Sequence, residues 1–205
     1  MSFEGLDITN SLALAFVMSK RLPTPTPPVQ LTQWAFTSKH EGVVPHLYID
    51  TRRNVTCGVG FLVANVEQLE RYPWHPSVAT ARGDWAELMK PGVLAGQLPA
   101  YYRRICCARL GAEDMRRIFD AKAEVFRGQI AEHWRLHTLP EPVQIALVDM
   151  AFQLGPRGLK GYAKLHAAVR AGRWELAAKE SYRPDAQRTR NARTAELFLN
   201  AALRP

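Results

Sequence analysis

The stretch of residues 39–60 constrains the fold more than any other part of the chain, because two strand-like segments flank a short polar interruption. The first segment runs from His46 to Asp50, and the second begins at Thr56. Between them, the sequence Thr-Arg-Arg-Asn at 51–54 has the composition of a turn. This pattern predicts a β-hairpin, in which two antiparallel strands lie side by side.

The length of the hairpin loop decides which side chains share a face of the sheet, because successive side chains of a strand alternate between faces. A loop of four residues, 51–54, pairs Asp50 with Val55 and places Thr56 on the other face. A loop of five residues, 51–55, sets Asp50 directly opposite Thr56, with their Cβ atoms roughly 5 Å apart. We predict the five-residue loop, because a carboxylate and a hydroxyl at that spacing can hold one water molecule between them.

An amphipathic run at 29–40 predicts a helix that ends next to Glu41. The hairpin would fold Asp50 and Thr56 back toward this carboxylate. Glycoside hydrolysis requires two carboxylates that face one cleft, since one protonates the leaving oxygen and the other activates a water molecule. This part of the sequence therefore indicates acid–base chemistry on a sugar.

The composition is that of a globular protein, since 47% of the 205 residues are hydrophobic and 22% are charged. The net charge of +8 predicts attraction to an anionic partner, which could be a cell-wall polymer, a nucleic acid or a lipid surface, and the charge alone does not choose among them. We expect no nucleic-acid partner, because no nucleic-acid-binding motif is recognisable.

We also expect no membrane span, because no apolar run reaches about 18 residues. No cysteine–histidine cluster has the spacing of a zinc site, and we expect neither a metal nor a cofactor.

Residues 1–29 are interpreted as a tail with one short apolar segment, Leu12–Met18, and a proline-rich linker at 23–28. Glu4 and Asp7 precede the apolar segment, whereas a secretion signal requires basic residues there. We therefore expect a protein made in the cytoplasm without a Sec signal. Three interpretations of the tail stay open: an unstructured extension, a helix docked on the domain and a docking peptide for a carrier.

The three cysteines, Cys57, Cys106 and Cys107, do not suit a disulfide framework, because their number is odd. Two of them are adjacent, and adjacent cysteines do not readily pair with each other. We predict three reduced, packed thiols. A bond from Cys57 to either of the other two is the alternative.

The order and spacing of the polar residues around the hairpin match a known signature. Eight residues separate Glu41 from Asp50, five separate Asp50 from Thr56, and Gly-Val-Gly follows at 58–60. This arrangement resembles the catalytic signature of phage-type lysozymes, family 24 of the glycoside hydrolases. A second block, Ala-Leu-Val-Asp-Met-Ala-Phe-Gln-Leu-Gly at 146–155, is similar to the buried helix of that family, which ends in Phe-Gln and a small turn.

The resemblance covers roughly residues 30–205, which would form the catalytic domain, and it implies an α+β, mostly helical fold. This lysozyme-like fold has two lobes that flank a cleft: a small β-hairpin lobe at about 42–63 and a helical lobe at about 111–205. A helical insert at about 64–110 is the poorest-matched portion. The sequence pattern predicts helices at about 78–90, 98–105, 112–134, 143–154, 161–171, 173–182 and 187–203.

The resemblance implies a peptidoglycan hydrolase, a muramidase that cleaves the β-1,4 bond between N-acetylmuramic acid and N-acetylglucosamine. Glu41 would be the general acid, Asp50 the base for a water molecule or a stabiliser of positive charge, and Thr56 the hydroxyl that holds the water. Each residue has an ordinary alternative: a solvated helix end, a turn cap and a strand residue, respectively. Because the water would attack from the face opposite Glu41, we predict inversion of the anomeric centre.

Further residues are expected by resemblance to contact the substrate. Phe152 and Gln153 would line the floor of the cleft, and Arg190 is similar to a late arginine of the family that pairs with the catalytic glutamate. The chain departs from the family at Phe61, where a histidine is common, and this removes a polar contact behind the hairpin. The expected substrate-binding residues are Gly60, Leu62, Phe152, Gln153 and Arg190.

The long insert and the tail resemble those of lysozyme-like toxins of bacterial secretion systems, which are antibacterial wall-degrading effectors. Such a protein would bind the glycan strands of peptidoglycan, a carrier of the secretion machine and an immunity protein. It would act in the periplasm or cell wall of a target bacterium. A phage endolysin, released by lysis, is the alternative origin. A lytic transglycosylase, a chitinase and a non-catalytic wall-binding module are the alternative functions.

Overall fold

The structure, a computed structural model, describes residues 32–202. The predicted tail at 1–29, with its apolar segment Leu12–Met18, lies outside the described residues, as do residues 203–205. Within the described range, the chain is mostly helical and contains two small antiparallel sheets. This confirms the predicted α+β, mostly helical class. None of the helices in this range is both long and apolar enough to cross a membrane.

Helix α1, Gln33–Glu41, leads directly into the hairpin. It begins after Thr32, whose side-chain oxygen accepts a hydrogen bond from the backbone N–H of Ala35 at 3.1 Å. This contact satisfies one of the free donors at the start of the helix. The helix ends at Gly42, whose φ of +77° lies in the region that favours glycine. Glu41 is therefore the last helical residue, as the sequence predicted.

Three strands form the sheet that follows α1, and they pair antiparallel in the order in which they occur along the chain. The strands are β1 (Val44–Ile49), β2 (Val55–Gly58) and β3 (Phe61–Leu62). β1 and β2 form the predicted hairpin, and Tyr48 of β1 pairs with Thr56 of β2.

The hairpin loop is shorter than the predicted five residues and also shorter than the four-residue alternative. The backbone N–H of Asp50 donates to the carbonyl oxygen of Asn54 at 2.9 Å, so these residues form the last pair and the loop consists of 51–53. The predicted five-residue loop is therefore wrong. The reason is that the Asp50 carboxylate accepts hydrogen bonds from the backbone N–H groups of Arg52 and Asn54, both at 2.8 Å, which tightens the turn.

The shorter loop moves the pairing by two residues and therefore keeps the parity of the strands. Tyr48, rather than Asp50, lies directly opposite Thr56. Asp50 lies two residues beyond Tyr48 on the same face, which makes it a diagonal neighbour of Thr56. The carboxylate and the hydroxyl therefore share a face, although they are not the directly opposed pair that we predicted.

The segment at about 64–110 contains both helices and strands: α2 (Val66–Leu69), β4 (Trp74–His75), α3 (Val78–Leu88), α4 (Pro99–Tyr102) and β5 (Arg109–Leu110). The predicted helix at 98–105 is thus a single turn. β4 and β5 pair antiparallel, and with two residues each they are too short to leave a period-two pattern in the sequence. The buried hydroxyl of Tyr102 donates to the carbonyl oxygen of Ile49 at 2.8 Å, which ties this segment to β1.

The rest of the described chain is helical: α5 (Ala112–Trp134), a 3-10 turn (Leu136–Thr138), α6 (Glu141–Lys160), α7 (Ala163–Arg170), α8 (Trp174–Glu180) and α9 (Arg188–Ala202). Helix α6 is central, since it packs against α1, α5 and α9 and buries most of its residues between Val143 and Ala151. At Gly155, φ is +71° and the helix breaks, as predicted, before a last short helical stretch. This break places the end of the buried part at the cleft described below.

All three cysteines are free thiols. Burial raises the pKa of Cys57 and of Cys106 to about 12, so these thiols stay protonated and unreactive. The predicted reduced state is confirmed for all three cysteines. The predicted packing is wrong for Cys107, which is exposed.

Candidate active site

A cleft of about 590 Å³ lies where the hairpin meets α1, α6 and the start of α9. All eight residues that the sequence predicted for the site line this cleft: Glu41, Asp50, Thr56, Gly60, Leu62, Phe152, Gln153 and Arg190. Residues that the sequence did not indicate line it as well: His40, Tyr48, Thr51, Arg52, Asn54, Asp185 and Gln187. Side chains from distant parts of the chain therefore converge on one cavity.

A second cavity, of about 670 Å³, lies beside α4. Its lining residues include two arginines and one histidine but no carboxylate: Gly42, Val43, Val44, Pro45, His46, Pro99, Ala100, Arg103 and Arg109. This cavity is slightly larger than the cleft, but it lacks the pair of acids that sugar hydrolysis requires. We therefore place the candidate chemistry in the cleft.

Glu41 reaches the cleft from the end of α1, and its side chain is 27% exposed. Its Oε1 atom accepts a hydrogen bond from Nη1 of Arg190 at 2.5 Å, which is the pairing that the family resemblance implied. Its Oε2 atom lies close to Gly60. A Cβ atom built on that glycine would be 3.5 Å from Oε2. The φ of Gly60 is +64°, which also favours glycine. The glycine therefore leaves room beside the second oxygen of the carboxyl.

A buried ion pair fixes the orientation of Arg190. Its Nε and Nη2 atoms donate to the two carboxylate oxygens of Asp149 at 3.0 and 2.8 Å, the bidentate geometry that holds a guanidinium most firmly. Burial acts to lower the pKa of Arg190, but the hydrogen bonds and charge of Asp149, together with the charge of Glu41, outweigh it and raise the pKa. Arg190 therefore stays charged while it orients Glu41.

Asp149 also binds a second arginine and a threonine. Nη1 of Arg183 lies 3.4 Å from its Oδ2 atom, and the hydroxyl of Thr37 donates to its Oδ1 atom at 3.0 Å. The side chains of Asp149 and Arg183 are 0% and 1% exposed. Burial lowers the pKa of Arg183, and the charge of Asp149 opposes this effect. With Glu41 ionised, the two acids and two arginines of this network have formal charges that sum to zero.

Sequence patterns did not reveal Asp149, Arg183 or Thr37 as members of the site. A signal existed for Asp149, because it is the one charged residue in the apolar run at 143–154, and a buried carboxylate requires a partner. No comparable signal singles out Arg183, since the chain contains 27 lysines and arginines. Its role follows only from the packing of the helices.

Asp50 caps the hairpin loop, which was the alternative interpretation of this residue. Its Oδ1 atom accepts from the backbone N–H groups of Arg52 and Asn54, and its Oδ2 atom accepts from the side-chain amide of Asn54 at 3.1 Å. A carboxylate has about four acceptor positions, so one position on Oδ2 remains after these contacts. The cap therefore fixes the carboxylate and still leaves it able to accept a hydrogen bond from a water molecule.

Thr56 is 5% exposed, and its hydroxyl donates to the carbonyl oxygen of Asn54 at 3.3 Å. This bond uses the hydroxyl hydrogen, so the lone pairs of the oxygen can still accept a hydrogen bond.

Across the hairpin, Tyr48 lines the same cleft. Burial and nearby negative charge, chiefly that of Glu41, raise the pKa of Tyr48 to about 12. Its phenol is therefore neutral at physiological pH.

Two residues of α6 form one wall of the cleft. The ring of Phe152 stacks on Phe119 at a centroid distance of 5.0 Å and contacts Phe126 at 4.7 Å, which gives an apolar surface. The Oε1 atom of Gln153 is buried and has no hydrogen-bond partner within residues 32–202. Because buried acceptors are normally paired, this amide is suited to an N–H or O–H group of a ligand.

Phe61, which replaces a histidine common in the resembled family, is 1% exposed. Its ring occupies the space that a side chain at Gly58 would need. Nζ of Lys122 lies 5.0 Å from the centre of the same ring, a cation–π contact. Phe61 therefore supports the sheet by packing, where a histidine would make a polar contact.

No protein-family model matches the sequence, and a comparison with curated proteins finds no match. Within the described part of the chain, no three histidine, cysteine, aspartate or glutamate side chains lie together as metal ligands would. The function is therefore inferred from the residues of the cleft and their geometry.

Proposed function

We propose that the protein is a muramidase, a peptidoglycan hydrolase with a lysozyme-like fold whose two lobes flank the cleft. The supporting observation is that Glu41, Asp50 and Thr56 line one cleft in which Glu41 is also paired with Arg190. The first three residues belong to one sequence motif, and Arg190 lies 149 residues beyond Glu41. Their convergence supplies an acid, a base and a fixed orientation for the acid, which glycoside hydrolysis requires.

Glu41 acts as the general acid. Its proton passes to the glycosidic oxygen while the bond from that oxygen to the anomeric carbon breaks, and such catalysis contributes about 10²–10⁴-fold. Arg190 orients the carboxyl, and Asp149 holds Arg190 in place through two hydrogen bonds. The acid therefore has a fixed position in the cleft.

Asp50 acts as the base. A water molecule attacks the anomeric carbon from the face opposite Glu41, and its proton passes to Asp50 while its oxygen stays on the sugar. The product then has the inverted configuration at the anomeric carbon. Exchange with solvent removes the proton from Asp50 and returns one to Glu41, which restores the starting state.

A lytic transglycosylase is the second candidate, and one observation favours it. The carboxylate of Asp50 already accepts three hydrogen bonds from its own loop. A transglycosylase uses one acid and no attacking water, so Asp50 would then serve the hairpin alone. Its products would carry anhydro muramic ends instead of reducing ends.

Mass spectrometry of digested, purified sacculi tests the proposed function. Reducing muramic ends support the hydrolase, whereas anhydro ends would show a transglycosylase. Binding without any released fragment would show a wall-binding module, and cleavage of chitin oligomers would show a chitinase.

NMR of the fresh product then tests the water mechanism, for which we expect the α-anomer first. An initial β-anomer would show retention and would make Asp50 the nucleophile.

A further inference from the structure

The register of the hairpin brings a third polar side chain beside Thr56. Tyr48 is its directly opposed partner, and Cβ atoms of such partners lie roughly 4.5–5.5 Å apart. Asp50 lies two residues beyond Tyr48 on the same face of the strand. All three residues line the cleft, so one small area of the sheet presents a phenol, a carboxylate and a hydroxyl.

The hydroxyl of Tyr48 is available to a ligand. The side-chain hydrogen bonds of the hairpin loop, within the described chain, join Asp50, Arg52, Asn54 and Thr56 and do not involve Tyr48. Because its pKa is raised to about 12, chiefly by burial, the phenol keeps its hydrogen at physiological pH. Tyr48 can therefore donate one hydrogen bond into the cleft.

We propose that the hydroxyl of Tyr48 donates a hydrogen bond to the attacking water of the proposed hydrolase, which Asp50 and Thr56 also hold. The water then has four neighbours. Its hydrogens are directed at Oδ2 of Asp50 and Oγ1 of Thr56, one lone pair accepts from Tyr48, and the other lone pair attacks the anomeric carbon. Tyr48 keeps its own proton throughout, and the proton of the water goes to Asp50.

Kinetics of a Tyr48→Phe variant test this role, because the substitution removes one oxygen atom and little else. We expect kcat on peptidoglycan fragments to fall about tenfold with KM unchanged, since a contact to the reacting water is lost and the contacts to the glycan remain. Tyr101→Phe is the matched control. Tyr101 packs on Tyr102 at 5.0 Å and does not line the cleft, so kcat should not change.

Two kinetic results would overturn the proposed role. A Tyr48→Phe variant with the kcat of the wild type would show that the hydroxyl does not act on the water. A raised KM at unchanged kcat would show that Tyr48 binds the glycan instead.

A crystal structure of the wild-type protein that shows ordered water gives a readout independent of activity. We expect a water molecule within about 3.2 Å of both Oη of Tyr48 and Oγ1 of Thr56, and its loss in Tyr48→Phe. If the wild-type crystal lacks that water, the role of Tyr48 is excluded, whether or not the variant folds. Failure of the proposed function looks different, because the wild-type protein would then release no glycan fragments.

Discussion

At the scale of single residues, two neighbours control the carboxyl of Glu41, and each acts on a different oxygen. Arg190 binds Oε1, and Gly60 leaves space beside Oε2. A general acid must present one oxygen to the bond that breaks, and an orientation fixed in advance lowers the barrier to reaction. The carboxyl of Glu41 therefore has a defined orientation, which the carboxyl of a solvated glutamate would lack.

Replacing Glu41 by glutamine should abolish cleavage and leave the fold intact. The amide keeps the size of the side chain but cannot donate the proton, so we expect a loss on the order of 10²–10⁴-fold. Release of soluble fragments from purified peptidoglycan measures the effect. The control is Glu132→Gln, which changes an exposed residue of α5 and should leave activity unchanged. Activity of Glu41→Gln within about threefold of wild type would exclude Glu41 as the acid.

Replacing Gly60 by alanine should lower both stability and activity. A positive φ costs a non-glycine residue about 1–2 kcal/mol, and the added methyl group would lie against Oε2 of Glu41. Gly92→Ala is the matched control, because its φ is +92° but a Cβ atom there meets nothing within 4 Å. Urea denaturation should show a similar loss of stability in both variants. Only Gly60→Ala should lose kcat/KM, and equal activity of the two variants would contradict the role of Gly60.

At the scale of secondary-structure elements, one buried carboxylate joins three helices. Asp149 lies on α6, and it binds Thr37 of α1 and Arg190 of α9. Helices α1 and α9 both pack against α6. Because Arg190 in turn binds Glu41, the orientation of the acid depends on how these three helices pack.

Replacing Asp149 by asparagine should therefore destabilise the fold as well as the site. The change leaves Arg190 and Arg183 buried without their shared counter-charge, and breaking a buried ion pair costs about 3–5 kcal/mol. Asp120→Asn is the control, because Asp120 forms an exposed pair with Arg116 at 2.8 Å, and exposed pairs contribute about 0–1 kcal/mol. Free energies of unfolding in urea measure the difference. Equal stability of the two variants would show that the network does not hold the helices together.

The main elements could be predicted from the sequence, whereas the hydrogen bonds that set the hairpin loop and join the helices could not. Local sequence patterns predict three elements: apolar spacing predicts the helix that ends at Glu41, turn composition predicts the hairpin, and a nearly continuous apolar run predicts the central helix. The loop length does not, because hydrogen bonds of the Asp50 carboxylate to its own loop select it. The contact of Asp149 with Arg183 joins residues 34 apart, and no local pattern encodes it. The missing information therefore lies in hydrogen bonds of individual side chains, some within the turn and some between distant helices.

At the scale of the whole molecule, the positive charge lies mainly outside the cleft. The chain has a net charge of +8, while the cleft is lined by three acidic side chains and two arginines: Glu41, Asp50, Asp185, Arg52 and Arg190. A positive surface attracts the protein to an anionic wall. Because the positive charge is not concentrated beside Glu41 and Asp50, the surface can increase the rate of encounter with the wall while these two acids retain their proposed roles.

The proposed substrate lies outside the cytoplasmic membrane, so toxicity should depend on where the protein is delivered. Expressed in a Gram-negative host with an added export signal, the chain should lyse the cells. Without the added signal it should leave growth unchanged, because a muramidase meets no glycan strands in the cytoplasm. The exported Glu41→Gln variant is the control, since it should reach the periplasm without lysis; culture density and microscopy measure the outcome. Equal killing from the cytoplasm would show that the target is something other than peptidoglycan.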